Sequence, residues 1–160
     1  IETVEVFFAN NQILFRSEHI SFYTRLLEGN YPDTDRLIPT EFNTEATFNV
    51  ANLRFAMERA RLLSNATQNG TVKLEFKNGV VSSHVHSPEV GRVNEEIDTS
   101  AVSGEDLSIS FNPTYLIDAL KAIESEKVVI RFISAVRPFT LVPEEESERF
   151  IQLITPVRTN

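Results

Sequence analysis

The chain has no cysteine and no tryptophan, one methionine and only five glycines in 160 residues. Without cysteine, neither a disulfide framework nor a thiolate metal site can form, which fits a reducing cytosol. No apolar run approaches the ~18 residues that a membrane helix requires. Nothing at the start reads as a signal peptide; Ile1-Glu2-Thr3-Val4 is already strand-like and has no initiating Met, as a fragment would read. Basic residues are the minority: 15 Lys and Arg stand against 23 Asp and Glu, for a formal net charge of −8. That balance argues against a surface that grips nucleic-acid phosphates throughout, while allowing a small basic patch on an acidic body. The nucleotide-binding and hydrolase signatures G-x-G-x-x-G, G-K-[ST] and G-x-S-x-G are absent. Serines and carboxylates are plentiful, yet no motif pairs a nucleophile with a base.

What is present is globular. Hydrophobic residues make up 41% and twelve are Phe, so the core is aliphatic and phenylalanine-rich. Three segments share one alternating pattern: Val4 to Phe8, Val72 to Phe76 and Val128 to Phe132. Each predicts a half-buried strand with one apolar face. Each is followed by further strand-like runs, at Ile13 to Arg16, Val80 to His86 and Phe139 to Val142. Asn78-Gly79 between two such runs predicts a type I′ hairpin, which needs positive φ at both central residues. Two helices are predicted. One runs from about Asn52 to Leu63, with Leu53, Ala56, Met57, Ala60 and Leu63 as its buried stripe. The other runs from about Pro113 to Glu124, with Leu116, Ala119, Leu120 and Ile123 as its stripe. Asn112 and Pro113 suit the cap and first residue of the second. Strands at Ala46 to Val50 and Leu107 to Phe111 lead into these helices.

Residues from about 45 to 155 therefore read as strand, helix and three strands, and then the same again. That is an internally duplicated α+β domain. The first strand copy lacks its helix, so it reads as the tail of a preceding domain of the same kind. Gly29, Pro32, Asp33 and Pro39 break regular structure between the two.

Four segments, in this order, resemble one family. They are Glu28-Gly29-Asn30-Tyr31-Pro32-Asp33 with Arg36-Leu37-Ile38-Pro39, then Glu58 to Asn65, then Phe111-Asn112-Pro113-Thr114-Tyr115-Leu116, then Leu153-Ile154-Thr155-Pro156-Val157-Arg158. Together with the duplication they resemble the β subunit of bacterial DNA polymerase III, the sliding clamp. The tail has the form seen in low-GC Gram-positive bacteria, and the chain as a whole resembles the streptococcus-like form. The resemblance implies the DNA-clamp fold: a duplicated βαβββ domain, helices on one side and antiparallel sheets on the other. Residues 40–160 would be the C-terminal clamp domain. Residues 1–39 would be the remnant of the middle domain plus a linker.

The resemblance also implies a function: a non-catalytic, cytoplasmic, nucleoid-associated processivity factor without cofactor or metal. Two subunits would join head to tail into a ring around double-stranded DNA. Its partners would be the polymerase catalytic subunit, the clamp loader and other clamp-motif proteins, and no membrane. Pro32, Arg36, Leu37, Tyr115, Val136, Pro138, Leu153, Ile154, Thr155, Pro156, Val157 and Arg158 match the family's peptide-binding pocket. A linker, a loop and a tail can converge into an apolar groove, although the same tail could be an ordinary edge strand. Arg54, Arg61 and Lys121 lie opposite the buried stripes and would face DNA loosely; a solvated helix face reads the same way. Leu62 and Leu63, with Glu95 and Glu96 on an acidic edge strand from Arg92 to Asp98, would form the dimer interface, unless the carboxylates merely protect the edge.

The remaining signals are plain. His84 and His86 share a strand face, but two ligands do not make a zinc site. Glu144 to Glu148 reads as a solvated acidic loop. Two other readings stay open on the residues alone: a peptide-binding module unrelated to DNA, and a small metal-dependent enzyme.

Overall fold

Each helix begins where an asparagine side chain takes over an unpaired backbone amide. Asn112 Oδ1 accepts the amide of Thr114 at 2.9 Å, and Pro113 opens α2 (Pro113–Lys121). Asn49 Oδ1 accepts the amide of Asn52 at 3.1 Å at the head of α1 (Val50–Ser64). The helix expected from Asn52 thus starts at Val50, because Asn49 is the capping side chain. Removing a cap leaves its amide unpaired, so Asn112→Ala should cost about 1 kcal/mol in urea denaturation and Asn52→Ala almost nothing.

The computed structural model describes residues 3–31, 33–64, 70–87, 91–145 and 150–158. The chain divides into two compact units, Ile1–Asp35 and Arg36–Asn160. The first is an antiparallel meander of β1 (Glu5–Phe8), β2 (Gln12–Arg16) and β3 (Ser21–Arg25). Glu5 and Arg16 face each other across the first pair and form an ion pair at 2.8 Å. Val4, Val6 and Phe8, the apolar face read from the sequence, are exposed, and so is Phe7.

The second unit holds β4 (Thr44–Asn49), β5 (Val72–Lys77), β6 (Val80–Ser87), β7 (Gly91–Ile97) and β8 (Ala101–Gly104), followed by β9 (Leu107–Phe111), β10 (Lys127–Phe132), β11 (Phe139–Pro143) and β12 (Gln152–Ile154). One sheet runs β12-β11-β10-β4-β8 and the other β7-β6-β5-β9. Every ladder in both is antiparallel. The lead strand of each half joins the sheet of the other half: β4 pairs with β10, and β9 with β5. This exchange makes the duplication one domain. Among the described residues four strands, not the expected three, lie between α1 and β9; the extra one, β8, pairs back along β4. The hairpin at Asn78-Gly79 is as predicted, with φ of +52° and +78°.

The core lies between the sheets and under the helices. Phe76 and Phe111 from one sheet meet Phe132 and Phe139 from the other. Ring centroids lie 4.9 Å apart for Phe76–Phe132 and 5.1 Å for both Phe132–Phe139 and Phe111–Phe139. Leu53, Ala56, Met57 and Ala60 of α1, with Leu116, Ala119 and Leu120 of α2, are buried as expected. Leu63 packs on this core only partly buried. α2 ends at Lys121, short of Glu124. Its last turn tightens into three-residue bonds from the amide of Ala122 to Ala119 O (3.1 Å) and from that of Ile123 to Leu120 O (3.4 Å). Ile123 is buried beyond the helix, which is why its burial mimics one more helical turn.

β10 is not half-buried: Val128, Val129 and Ile130 are all buried, and β11 is buried throughout. Both are interior strands, and their second face is closed by two cross-strand rows. Thr47, Val129 and Val142 form one. Glu45, Arg131, Thr140 and Leu153 form the next. In that row Arg131 Nε donates to Glu45 Oε2 at 2.6 Å, and its guanidinium lies 5.6 Å from the centroid of the Phe42 ring.

Candidate partner groove and ring surfaces

The tail is fixed by a three-residue ladder in which Ile154 faces Phe139 and Leu153 faces Thr140. Strand alternation sends these two neighbours to opposite faces. Ile154 is a core residue, only 2% exposed. The resemblance places it in the groove, but its burial makes it an anchor under the tail that offers no surface to a ligand. Leu153 stands partly exposed on the other face, beside Thr140, whose buried hydroxyl has no hydrogen-bond partner among the described residues. Beyond Ile154 the tail leaves the sheet. Thr155, Val157 and Arg158 are exposed and Pro156 partly so. The Val157 amide donates to Ser110 O at 2.7 Å. The tail therefore crosses from the edge of one sheet to β9, the edge of the other.

That crossing lies two residues before the Asn112 cap, and Tyr115 is exposed in the first turn of α2. Pro138 directly precedes Phe139 and Thr155 directly follows Ile154, so both lie just beyond the same end of the ladder; Val136 is exposed on the loop before it. The structure thus brings the tail, the β10–β11 loop and the start of α2 together. Arg36, closing a short 3₁₀ turn at Thr34–Arg36, and Leu37 are both exposed. Pro32 lies outside the described residues.

On the helices, Arg54 and Lys121 line one depression, between the start of α1 and the end of α2. Each is already paired on its own helix, Arg54 with Glu58 at 3.8 Å and Lys121 with Asp118 at 3.3 Å. Arg61 is half-buried one turn beyond Glu58.

β7 is a sheet edge, as the acidic segment from Arg92 to Asp98 suggests. Period-two alternation splits its glutamates. Glu95 shares the inward face with Val93 and Ile97, and the Arg59 guanidinium of α1 holds it through two hydrogen bonds, one of 3.2 Å from Nε. Those bonds raise the Arg59 pKa above its usual value. Glu96 is exposed on the opposite face, across from Ser82. Leu62 is 75% and Phe55 49% exposed, flanking Arg59 on α1. Phe55 and Arg59, missed in the sequence, line a depression with Glu95, Glu96 and Asp98. Their signal was the spacing 55, 59, 62, one helix face carrying two large apolar residues outside the core stripe.

Residues 35–158 match the family described as DNA polymerase III beta subunit, C-terminal domain. The chain belongs to this family. Among curated relatives, the "Beta sliding clamp" of Streptococcus pneumoniae serotype 4 is 82% identical over 160 residues; that covers all of this chain and 42% of the relative. The "Beta sliding clamp" of Lactococcus lactis is 56% identical, covering 99% of this chain and 42% of the relative. The crystal structure of the DNA polymerase III beta chain from S. pneumoniae superimposes with a TM-score of 0.88 at 82% identity, covering 98% of this chain and 41% of that one. The fold is therefore the α+β clamp fold, and the likeness to the streptococcal form of the subunit is borne out. This beta-subunit chain spans about two fifths of the length of the relatives it matches.

Proposed function

We propose that the chain is the C-terminal part of a sliding clamp, a non-catalytic ring subunit that encircles double-stranded DNA and tethers replication proteins. The observation that carries this reading is the family match over residues 35–158, with relatives of 82% and 56% identity that are called beta sliding clamps. It favours a clamp over a DNA-independent peptide module or a metal-dependent enzyme. In this reading residues 1–39 end the middle domain and form the linker, and residues 40–160 are the last domain. The protein works in the cytoplasm, at the nucleoid; among the described residues no helix is long and apolar enough to cross a membrane.

Three surfaces support the reading. Arg54, Arg61 and Lys121 offer phosphates only weak attraction, because Arg54 and Lys121 are already offset by carboxylates of their own helices. Loose contact suits a ring that stays on DNA by topology and must slide. Leu62, partly buried Leu63 and Phe55 with the open edge of β7 suit pairing with a second copy in a homodimer. Glu96 is the carboxylate presented to that copy, since Glu95 is held by Arg59. The tail, with Tyr115, Val136, Pro138, Arg36 and Leu37, is the groove for the polymerase catalytic subunit, the clamp loader and other clamp-motif proteins.

Such a groove takes a short extended peptide with one or two large apolar side chains. Burying two supplies ~3–6 kcal/mol before ordering costs, which places a bare peptide in the micromolar range. Pro156 holds the tail in one backbone shape, so little entropy is lost on binding. Pro156→Ser combined with Val157→Asp leaves the Ile154 anchor in place. A fluorescent clamp-binding peptide from a replicative polymerase should bind the folded double variant at least ~10-fold more weakly. Equal binding would place the groove elsewhere.

A further inference from the structure

The outer face of the β7-β6-β5-β9 sheet carries a hydrogen-bonded relay that neither a ring nor a partner groove requires. His84 lies on β6 directly opposite Asn94 of β7, and its Nδ1 is 2.8 Å from Asn94 Oδ1. Ser82, two residues earlier on the same face, places its Oγ 2.9 Å from His84 Nε2. An amide oxygen at Nδ1 fixes the ring proton there and leaves the Nε2 lone pair aimed at the serine hydroxyl. Glu75 Oε2 lies 3.5 Å from the same Nε2, on the open side of the ring. A serine hydroxyl hydrogen-bonded to an imidazole whose far nitrogen is oriented by a third side chain is the arrangement that activates a nucleophile.

We propose that Ser82 is an activated serine that small activated esters acylate. Ser82 Oγ attacks the acyl carbonyl while its proton passes to His84 Nε2. The Oγ–carbon bond forms, the ester carbon–oxygen bond breaks, and the leaving group departs as its anion. His84 then returns the proton to solvent. Ser82 and His84 are both half-exposed, so a small reagent reaches them from open solvent. β6 is an interior strand whose amides serve the ladders to β5 and β7, so among the described residues it offers no free backbone donor pair for a tetrahedral oxyanion. The reaction is accordingly stoichiometric acylation, not turnover.

The test is p-nitrophenyl acetate applied to the whole chain, with time-resolved peptide mapping by mass spectrometry and circular dichroism of each variant. Ser82 should acquire the acetyl group at least ~100-fold faster than Ser108, an exposed serine of β9, and His84→Gln should remove most of that advantage. Asn94→Asp should accelerate labelling by ~10-fold or more, because a carboxylate supports the imidazolium better than an amide does. A purely structural hydrogen bond predicts no such gain. Labelling of Ser82 at the rate of Ser108, or a rate indifferent to His84→Gln or not raised by Asn94→Asp, overturns the proposal.

Discussion

Phe132→Ala should destabilise the Arg36–Asn160 unit by about 4 kcal/mol. Phe132 is fully buried and sits in the middle of the ring chain, 4.9 Å from Phe76 in the facing sheet and 5.1 Å from Phe139 beside it. Truncation removes the transfer energy of the ring and two aromatic contacts. It also leaves a cavity that cannot collapse, because both flanking rings are pinned on interior strands of opposite sheets. Against a total stability of ~5–15 kcal/mol, that loss is a large fraction. Phe55→Ala is the matched control: the same atoms leave a half-exposed position on α1, and the cost should stay below about 1 kcal/mol. Urea denaturation of both variants separates the two cases. Equal losses would mean that the four rings do not form the junction between the sheets. Phe55→Ala also divides stability from assembly, since a ring-interface role predicts weaker dimers of the full-length protein without a weaker fold.

The parts of this fold that were legible are those where the physical demand falls on adjacent residues. Asn78-Gly79 carries both positive-φ positions of its turn, and Asn112-Pro113 carries both the cap and the first residue of its helix. The start of α1 was harder, because Asn49 ends an apolar-alternating strand and gives no local sign that its side chain turns back to cap. Strand exchange between the halves left no local trace, since β4 and β10 meet only after the chain has passed through the other sheet. β8 was invisible for a related reason. Ala101-Val102-Ser103-Gly104 has little apolar pattern, and it becomes a strand because β4 offers it a free edge.

The site divides in the same way. The tail and linker were found through resemblance, since three ladder residues have no periodicity of their own. Resemblance alone could not tell Leu153 from Ile154; only the β11 register shows which of the two faces outward. Glu95 and Glu96 looked equivalent in sequence, and the edge-strand alternation gives one to Arg59 and the other to solvent. In each case the missing information was a contact between distant segments.

Gly104→Ala should be nearly as damaging as the loss of Phe132, at about 3 kcal/mol or more, although it adds one methyl group. Gly104 ends β8 with φ of +99°, a conformation that residues with a Cβ rarely adopt. A Cβ there would lie 1.9 Å from the carbonyl oxygen of Asn43 and 2.8 Å from Thr44 Cα, both backbone atoms. Asn43 cannot yield. Its amide donates to Phe132 O at 2.8 Å, its carbonyl accepts the amide of Glu105 at 3.0 Å, and its Nδ2 donates to Ile133 O at 3.0 Å. Thr44 is tied as well, its hydroxyl donating to Glu105 O at 2.7 Å. The strain must therefore open the β4–β8 ladder. Gly79→Ala isolates the backbone term, because φ there is +78° and nothing lies within 4 Å of the new Cβ; its cost should be only about 1 kcal/mol. In Gly104→Ala, hydrogen exchange should speed up first at the amides shared by Thr44–Thr47 and Ala101–Gly104, while the β5–β6 hairpin keeps its protection. Equal costs for the two substitutions would show that Asn43 moves freely. The close approach would then be no constraint on how β8 seats against the strand that leads into α1.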